Sequence, residues 1–343
     1  MAENPLMTAD SDRLALAVDI GGTKFAAAIV NDAGDVLVTR RADTPRSTDP
    51  DVVFAALVEA VDATLTAAGL ALPGPGGRPA NEDQGSAQGE LVAAIGVGTA
   101  APLDLTVGTV SPVNIPGWRS FPLRDRLTER YGVPVGMIGD AVAVAVAEHW
   151  KGAAQGYRNV LGMVVSTGVG GGFILGGQAV AGSTGNAGHI GHISVDPQGP
   201  VCVCGGIGCL EAISSGPSLA AWAAEHGFTG GDGTAVAVAQ AAAHGEPVAV
   251  QAFARSGAAL GMAIAGAVTL LDLDLVVIGG GVAAVGPLLF EPLAKSYRRY
   301  AALGFAARPR VVPSQLGGAA GLIGAAAVVL APDRYWPAAP DSR

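Results

Sequence analysis

One plan occurs twice in this chain. Residues 14–18 are an apolar run, Asp19-Ile-Gly-Gly-Thr-Lys24 is a polar glycine turn, residues 25–30 are a second run, 31–34 a turn and 36–39 a third run. Residues 160–165, 166–172, 173–175, a Gly-Gly-Gln turn and 179–180 repeat it. Short apolar runs broken by glycine turns predict a β-meander, and its recurrence predicts a duplicated α/β domain. Glycine lets the backbone approach a ligand closely, and exposed N–H groups can hold phosphate oxygens. Asp19, Gly21, Gly22, Thr23 and Lys24 in the first turn, and Thr167, Gly168, Gly170, Gly171 and Gly172 in the second, are therefore candidates for nucleotide binding. Facing each other, two such turns would clamp a polyphosphate between two domains. Asp19 is placed to reach a Mg²⁺ ion, directly or through water. A plain hairpin turn would need only Gly-Gly. The chain has no Gly-Lys pair, so neither turn is a Walker loop, and Phe173 stands where a dinucleotide fingerprint needs its third glycine.

The stretch 188–211 holds all three cysteines of the chain and two of its five histidines. Its spacing is His192-x9-Cys202-x-Cys204-x4-Cys209. Four soft ligands in one short loop suit tetrahedral Zn²⁺, and with no fifth ligand evident the site is closed and structural. The alternative is three small buried thiols and a loop histidine, but these cysteines sit among glycines. His189 precedes the first presumed ligand and Glu211 follows the last, so a metal that cinches the loop would also fix those two polar side chains.

Composition excludes several classes. A net charge of −9 with no extended basic cluster argues against a nucleic-acid surface. The mean hydropathy is positive, yet residues 257–271 and 316–331 both fall short of the roughly 18–20 apolar residues a span needs, so no membrane partner is expected. Residues 1–13 have neither a basic start nor an apolar core and do not read as a secretory signal. Three cysteines cannot all pair with one another; reduced thiols on zinc in a cytoplasm fit better than a disulfide framework.

The remaining segments order the domains. Residues 1–12 read as a disordered leader, 13–139 as an N-terminal α/β domain, 140–316 as a C-terminal α/β domain, 317–330 as a helix rejoining the first, and 331–343 as a disordered tail. Residues 50–70 have helical period, and 72–90 read as a mobile surface loop. Residues 110–118 are a rigid loop with two prolines, and Asn114 there offers a donor and an acceptor for a sugar hydroxyl, or serves a plain turn. Asp140 ends a short apolar strand before a helix; it is either a functional acid at the mouth of a sheet or a helix N-cap. The glycines 279–281 follow a buried strand and allow either a base or ribose to approach or a tight turn.

Asp19-Ile-Gly-Gly-Thr-Lys24, Ser166–Gly172, Gly191-His192 and Cys202-x-Cys-Gly-x-x-Gly-Cys-x-Glu211 together resemble the ROK family (repressor, ORF, kinase), over residues 14 to 330. The resemblance implies an actin-like, hexokinase-like (ribonuclease H-like) fold of two α/β domains with a cleft between them. It implies ATP and Mg²⁺ as cofactors, a sugar as acceptor and often a homodimer. Ala187-Gly-His-Ile-Gly-His192, with Asp196-Pro-Gln-Gly-Pro-Val-Cys202 and Glu211-Ala-Ile-Ser-Ser-Gly216, is similar to the bacterial N-acetylmannosamine kinases. Most sugar kinases of the family have Glu in place of His189. The resemblance thus implies transfer of phosphate to the 6-hydroxyl of N-acetylmannosamine in sialic acid catabolism. It makes Asp140 the catalytic base, Asn114, His189 and Glu211 the sugar-binding residues, His192, Cys202, Cys204 and Cys209 the zinc ligands, and places Gly280 near the adenosine. A glucokinase or N-acetylglucosamine kinase of the same family is the first alternative, and a catalytically weak sugar-binding regulator the second. The family usually has Asn before this Asp and Asn or Gln two residues after it; here they are Gly139 and Val142. A repressor of the family would carry a winged helix-turn-helix ahead of the first glycine turn, where this sequence has 18 residues.

Overall fold

The computed structural model describes residues 13–74 and 92–336. The expected leader, 1–12, and most of the expected surface loop lie outside them. In chain order the elements are β1 (Leu14–Ile20), β2 (Lys24–Asn31), β3 (Val36–Asp43), α1 (Pro50–Ala68), β4 (Val92–Thr99), β5 (Leu103–Asp104), β6 (Thr109–Val110), α2 (Leu123–Tyr131), β7 (Val135–Gly139) and α3 (Asp140–Lys151). There follow β8 (Val160–Val165), β9 (Val169–Leu175), β10 (Gln178–Ala179), α4 (Leu210–Ser214), α5 (Gly216–Glu225), α6 (Ala235–Ala243) and α7 (Pro247–Leu271). The last are β11 (Leu275–Gly279), α8 (Pro287–Tyr300), β12 (Arg310–Pro313), α9 (Ala320–Leu330) and α10 (Pro332–Tyr335).

The duplication is explicit in the sheets. One five-stranded sheet has the order β3-β2-β1-β4-β7 and the other β10-β9-β8-β11-β12. In each, the first strand pairs antiparallel with the next in sequence and parallel with a later one: β1 with β2 and β4, β8 with β9 and β11. The antiparallel partner needs only the glycine turn as its connection, whereas the parallel partner needs a crossover.

The chain forms two compact units. The first holds the described residues up to Trp150, with Ala179–Ala187 and those from Ala319 onward; the second holds Lys151–Gln178 and Gly188–Gly318. This division differs from a cut at 139/140. α3 stays with the first unit because its buried face, Val142, Ala143 and Ala145–Ala147, packs there, with the Ala143 backbone against Gly324 of α9. α9 is buried along nearly its whole length, and Arg13 Nη2 caps its C-terminal end by donating to the Leu330 carbonyl at 2.9 Å. Of the expected tail, 337–343 lie outside the described residues, and 332–335 is a helical turn. Tyr335 is fully buried, and its hydroxyl lies 2.7 Å from Nδ1 of His149.

In the second unit α7 runs for 25 residues, the span the Ala-rich stretch 247–271 predicts, and is long and apolar enough to cross a membrane by length and composition. Its buried stripe, Ala249, Phe253, Leu260, Ile264 and Val268, joins the core of that unit. Glu246 caps its first turn by accepting from the amides of Val248 and Ala249.

Candidate functional site

In the first unit the glycine turn joins β1 to β2. Gly21 N–H donates to the Lys24 carbonyl at 3.0 Å, so that amide is occupied within the turn. Thr44, which sequence reasoning missed, braces it from β3's end: its hydroxyl donates to the Gly21 carbonyl at 2.8 Å and its amide to Thr23 at 3.0 Å. Thr23 and Lys24 are exposed. Gly22 has no room for a side chain, because a Cβ there would run into Cβ of Asn114. The turn and the proline-bounded loop are therefore neighbours. That loop is anchored by Trp118, which is fully buried, stacks on Phe121 with ring centroids 4.6 Å apart and donates from Nε1 to the Pro50 carbonyl at 3.2 Å. Burying such a ring is worth about 1.5–3 kcal/mol, enough to hold the exposed Asn114 in place.

Asp19 and Asp140 share this end of the first sheet. Asp140 is the first residue of α3 and is exposed; its Oδ1 accepts from the Ala141 amide at 2.7 Å. Gly139 and Val142 beside it line a cavity of about 10 Å³ with Leu105, Ile138 and Val180. Burial pushes the Asp19 carboxyl from 3.8 up to about 6, the charge on Asp140 adds to the rise, and Arg41 opposes it. A half-buried carboxyl in the field of a second one is a donor that a hard cation would satisfy, so these residues fit Mg²⁺.

The raised pKa has a sign that can be measured. The unfolded chain releases the Asp19 proton near its ordinary value, while the folded chain keeps it until about 6. Between those limits the folded state binds more protons, so stability should fall as pH rises through this window, by on the order of 2–3 kcal/mol. Asp19→Asn should remove that slope and be more stable than the parent at pH 7.5. Urea unfolding at pH 4.5 and 7.5 checks it; an unchanged slope would sink the assignment.

Gly321, in the first turn of α9, is a second residue that the sequence did not single out. A Cβ there would stand 2.8 Å from Asp19 Oδ2 and 3.2 Å from its Cγ, the carboxylate being its nearest neighbour. Gly321→Ala should thus keep or gain helix stability, up to about 1 kcal/mol, while displacing the Asp19 carboxylate. Mg²⁺ affinity should fall at least about tenfold with the melting temperature unchanged or raised; undiminished Mg²⁺ binding would show that Asp19 has slack.

In the second unit, the turn between β8 and β9 is locked by Ser166 N–H to the Gly168 carbonyl (2.9 Å) and Gly216 N–H to Ser166 (2.7 Å). Gly280 adopts φ +98°, and its Cα lies against the Val165 backbone, which only glycine permits. The second and third glycine turns thus meet. Beside them opens a cavity of about 740 Å³, lined by Ser166, Thr167, Pro217, Gln240, Val282 and Leu288 among others. That volume suits a nucleoside. Its walls from α5, α6 and α8 are mostly aliphatic, and no motif in the sequence announced them.

The candidate zinc loop lies in the same unit. The ligand atoms of His192, Cys202, Cys204 and Cys209 all lie within 4.8 Å of one another. Cys202 Sγ is 3.7 Å from His192 Nδ1, and Cys204 Sγ is 3.7 Å from Cys209 Sγ. A tetrahedron with Zn–S bonds of about 2.3 Å has an S···S edge of about 3.8 Å, so the four donors fit zinc, with Nδ1 as the histidine ligand. Burial pushes the Cys209 thiol up to about 12, so metal uptake must release a proton. The exposed His189 stacks on His192 with ring centroids 6.1 Å apart. Half-buried Glu211, on the first turn of α4, accepts from the Val169 amide at 2.9 Å. The structure thus gathers the second turn, the zinc ligands, His189 and Glu211 in one unit, and the first turn, Asn114, Asp19 and Asp140 in the other.

Comparison with known proteins agrees with this layout. The model of the ROK family matches residues 15–76 and 80–332. A glucokinase of Streptomyces coelicolor is 34% identical over 337 residues, covering 93% of this chain and 98% of its own. An N-acetylmannosamine kinase of Citrobacter koseri is 36% identical over 316 residues, covering 91% and 97%. The solved structure of a ROK family glucokinase from Streptomyces griseus, in complex with glucose and AMPPNP, superposes with a TM-score of 0.72 at 35% identity, covering 92% and 98%. The paired five-stranded sheets are those of the actin-like, hexokinase-like (ribonuclease H-like) α/β fold. With the family model matched from the first strand to the last helix, the chain belongs to the ROK family and stands with its sugar kinases.

Proposed function

We propose that this chain transfers the γ-phosphoryl group of ATP to the 6-hydroxyl of an amino sugar, N-acetylmannosamine foremost, in the cytoplasm, where its thiols stay reduced. The observation that carries the amino-sugar reading is His189, held on the zinc loop three residues before ligand His192, where most sugar kinases of the family have Glu. A glucokinase is the second reading, favoured by relatives of that kind at 34% identity over nearly the whole chain.

In the proposed reaction, the sugar O6 forms a bond to the γ-phosphorus as the bond from that phosphorus to the β,γ-bridging oxygen breaks. ADP leaves, and the O6 proton passes to Asp140. Phosphoryl transfer asks mainly for positioning and charge neutralisation. The second unit would supply the nucleoside cavity, the turn at Thr167–Gly172, and His189 and Glu211 for the sugar hydroxyls. The first would supply Asp140, Asn114 and the turn at Asp19–Lys24. Mg²⁺, held through Asp19, would neutralise phosphate charge. Zinc would serve as scaffold, since four protein donors leave it no open position.

A coupled ADP assay over glucose, mannose, N-acetylglucosamine and N-acetylmannosamine tests this. N-acetylmannosamine should exceed glucose in kcat/KM by at least about tenfold, the discrimination one buried hydrogen-bonding group can give. A preference for glucose would establish the glucokinase reading, and no turnover with any of them the regulator. Light scattering reads whether the protein is the homodimer common in the family.

A further inference from the structure

Gly168 belongs to a turn that reads as a phosphate cradle, but its surroundings assign it to the other substrate. A Cβ on Gly168 would meet one residue only: Glu211, at 2.8 Å from Oε2 and 3.7 Å from Cδ. The backbone of Gly168 lies outside the left-handed region, so an alanine there is opposed by that carboxylate and by nothing else. The same Oε2 accepts from the neighbouring amide, Val169 N–H, at 2.9 Å. Oε1 makes no hydrogen bond with the described residues. The carboxylate is thus pinned by one oxygen and keeps the other for a ligand.

Neither backbone that carries this contact can yield easily. The turn is held by Ser166 N–H to Gly168 and by Gly216 N–H to Ser166. Glu211 follows zinc ligand Cys209 by two residues, and Leu210 between them is fully buried and donates its amide to the Ile193 carbonyl at 3.0 Å. The zinc loop also packs backbone to backbone on β9: a Cβ on Gly188 would come within 2.5 Å of the Gly171 carbonyl. The carboxylate is the soft element between two stiff ones.

We infer that Gly168 is a positioning residue for the acceptor, acting by leaving room for Glu211 to brace on the Val169 amide. This rests on the sugar-kinase reading and deepens it. The Glu211–Val169 bond is then the physical link by which the acceptor side chain and the donor turn sense each other, a short path for coupling free energy between two sites.

The test is a double-mutant cycle of Gly168→Ala and Glu211→Ala, read as KM for the sugar, KM for ATP and kcat. Gly168→Ala should raise the sugar KM at least about tenfold and the ATP KM by less than about threefold; in the Glu211→Ala background it should add less than about twofold, because residues acting through one contact are not additive. Equal loss on both substrates, or losses that multiply, would overturn the inference. Hydrogen exchange at the Val169 amide is the second readout, usable even if Gly168→Ala does not fold. It should quicken in Glu211→Ala, and an unchanged rate would overturn the brace. Absence of sugar phosphorylation by the parent protein would remove the kinase reading instead, leaving the exchange result to judge the brace alone.

Discussion

Asp140→Asn should fold, bind nucleotide like the parent and lose sugar phosphorylation by at least about 10²–10⁴-fold, the usual contribution of a positioned general base. The substitution is mild for the fold. Asp140 is exposed at the first position of α3, and an Asn side chain keeps an oxygen for the Ala141 amide that Oδ1 now engages at 2.7 Å. The buried face of α3, Ala143 and Ala145–Ala147, is untouched. What is lost is a negative charge at a helix N-terminus, worth about 0.3–1 kcal/mol, and the carboxylate proposed to accept the O6 proton. One internal control comes with it. The Asp140 charge is the second cause that raises the Asp19 carboxyl, so in Asp140→Asn the pH window over which Asp19 costs stability should narrow from its upper end. Turnover within tenfold of the parent would remove Asp140 as the base; lost turnover with an unmoved stability profile would show that the two carboxylates do not share a field.

The parts of this molecule that were legible in its sequence are those set by local pattern. The strands β1 to β3 and the runs at β8 and β9 follow from alternating apolar runs and glycine turns, and their repetition foretold two sheets of one order. The four donors His192, Cys202, Cys204 and Cys209 were legible because a metal needs its ligands close in sequence or unusual in type, and here they are both.

The illegible parts are pairings across long separations. Glu211 and Val169 are 42 residues apart, and their bond is between a side chain and a backbone amide that any residue would offer. Gly321 against Asp19 joins the two ends of the chain, and in the sequence it is one more glycine in an Ala-rich helix. The large cavity of the second unit is walled by Ala235, Val236, Ala239 and Leu288, which read as ordinary packing. Residues 331–343, beyond the small-residue helix 317–330, read as a tail. Tyr335 reverses that locally, since a buried ring whose hydroxyl meets His149 offsets the entropy of ordering one helical turn.

Loss of zinc should be as severe for the acceptor as loss of Asp140 is for the chemistry. The loop from Ile193 to Gly208 has almost no core of its own: Val201, Val203 and Ile207 are 75%, 90% and 53% exposed, and its order comes from short backbone links such as Cys202 N–H to Gly206 and Gly208 N–H to Pro200, both at 2.8 Å. Such links are worth about 1 kcal/mol each, against roughly 10–16 kcal/mol for structural zinc in small folded sites. On these magnitudes a bound zinc would decide whether the loop is ordered, and with it whether His189 and Glu211 stand where the proposed sugar would meet them. Cys204→Ser, which changes an exposed ligand and disturbs no packing, should drop bound zinc from about one per chain to near none. It should open the loop to protease and lower kcat/KM for the sugar at least about a hundredfold. Nucleotide affinity should fall much less, because the cavity walls from α5, α6 and α8 do not depend on the loop; what it does lose travels through the Glu211–Val169 bond. Retention of one zinc per chain in Cys204→Ser would show that the ligand set is wrong. Equal loss of sugar and nucleotide binding would show that the loop supports the whole second unit, in which case its fold, and not the placement of two side chains, is what the metal secures.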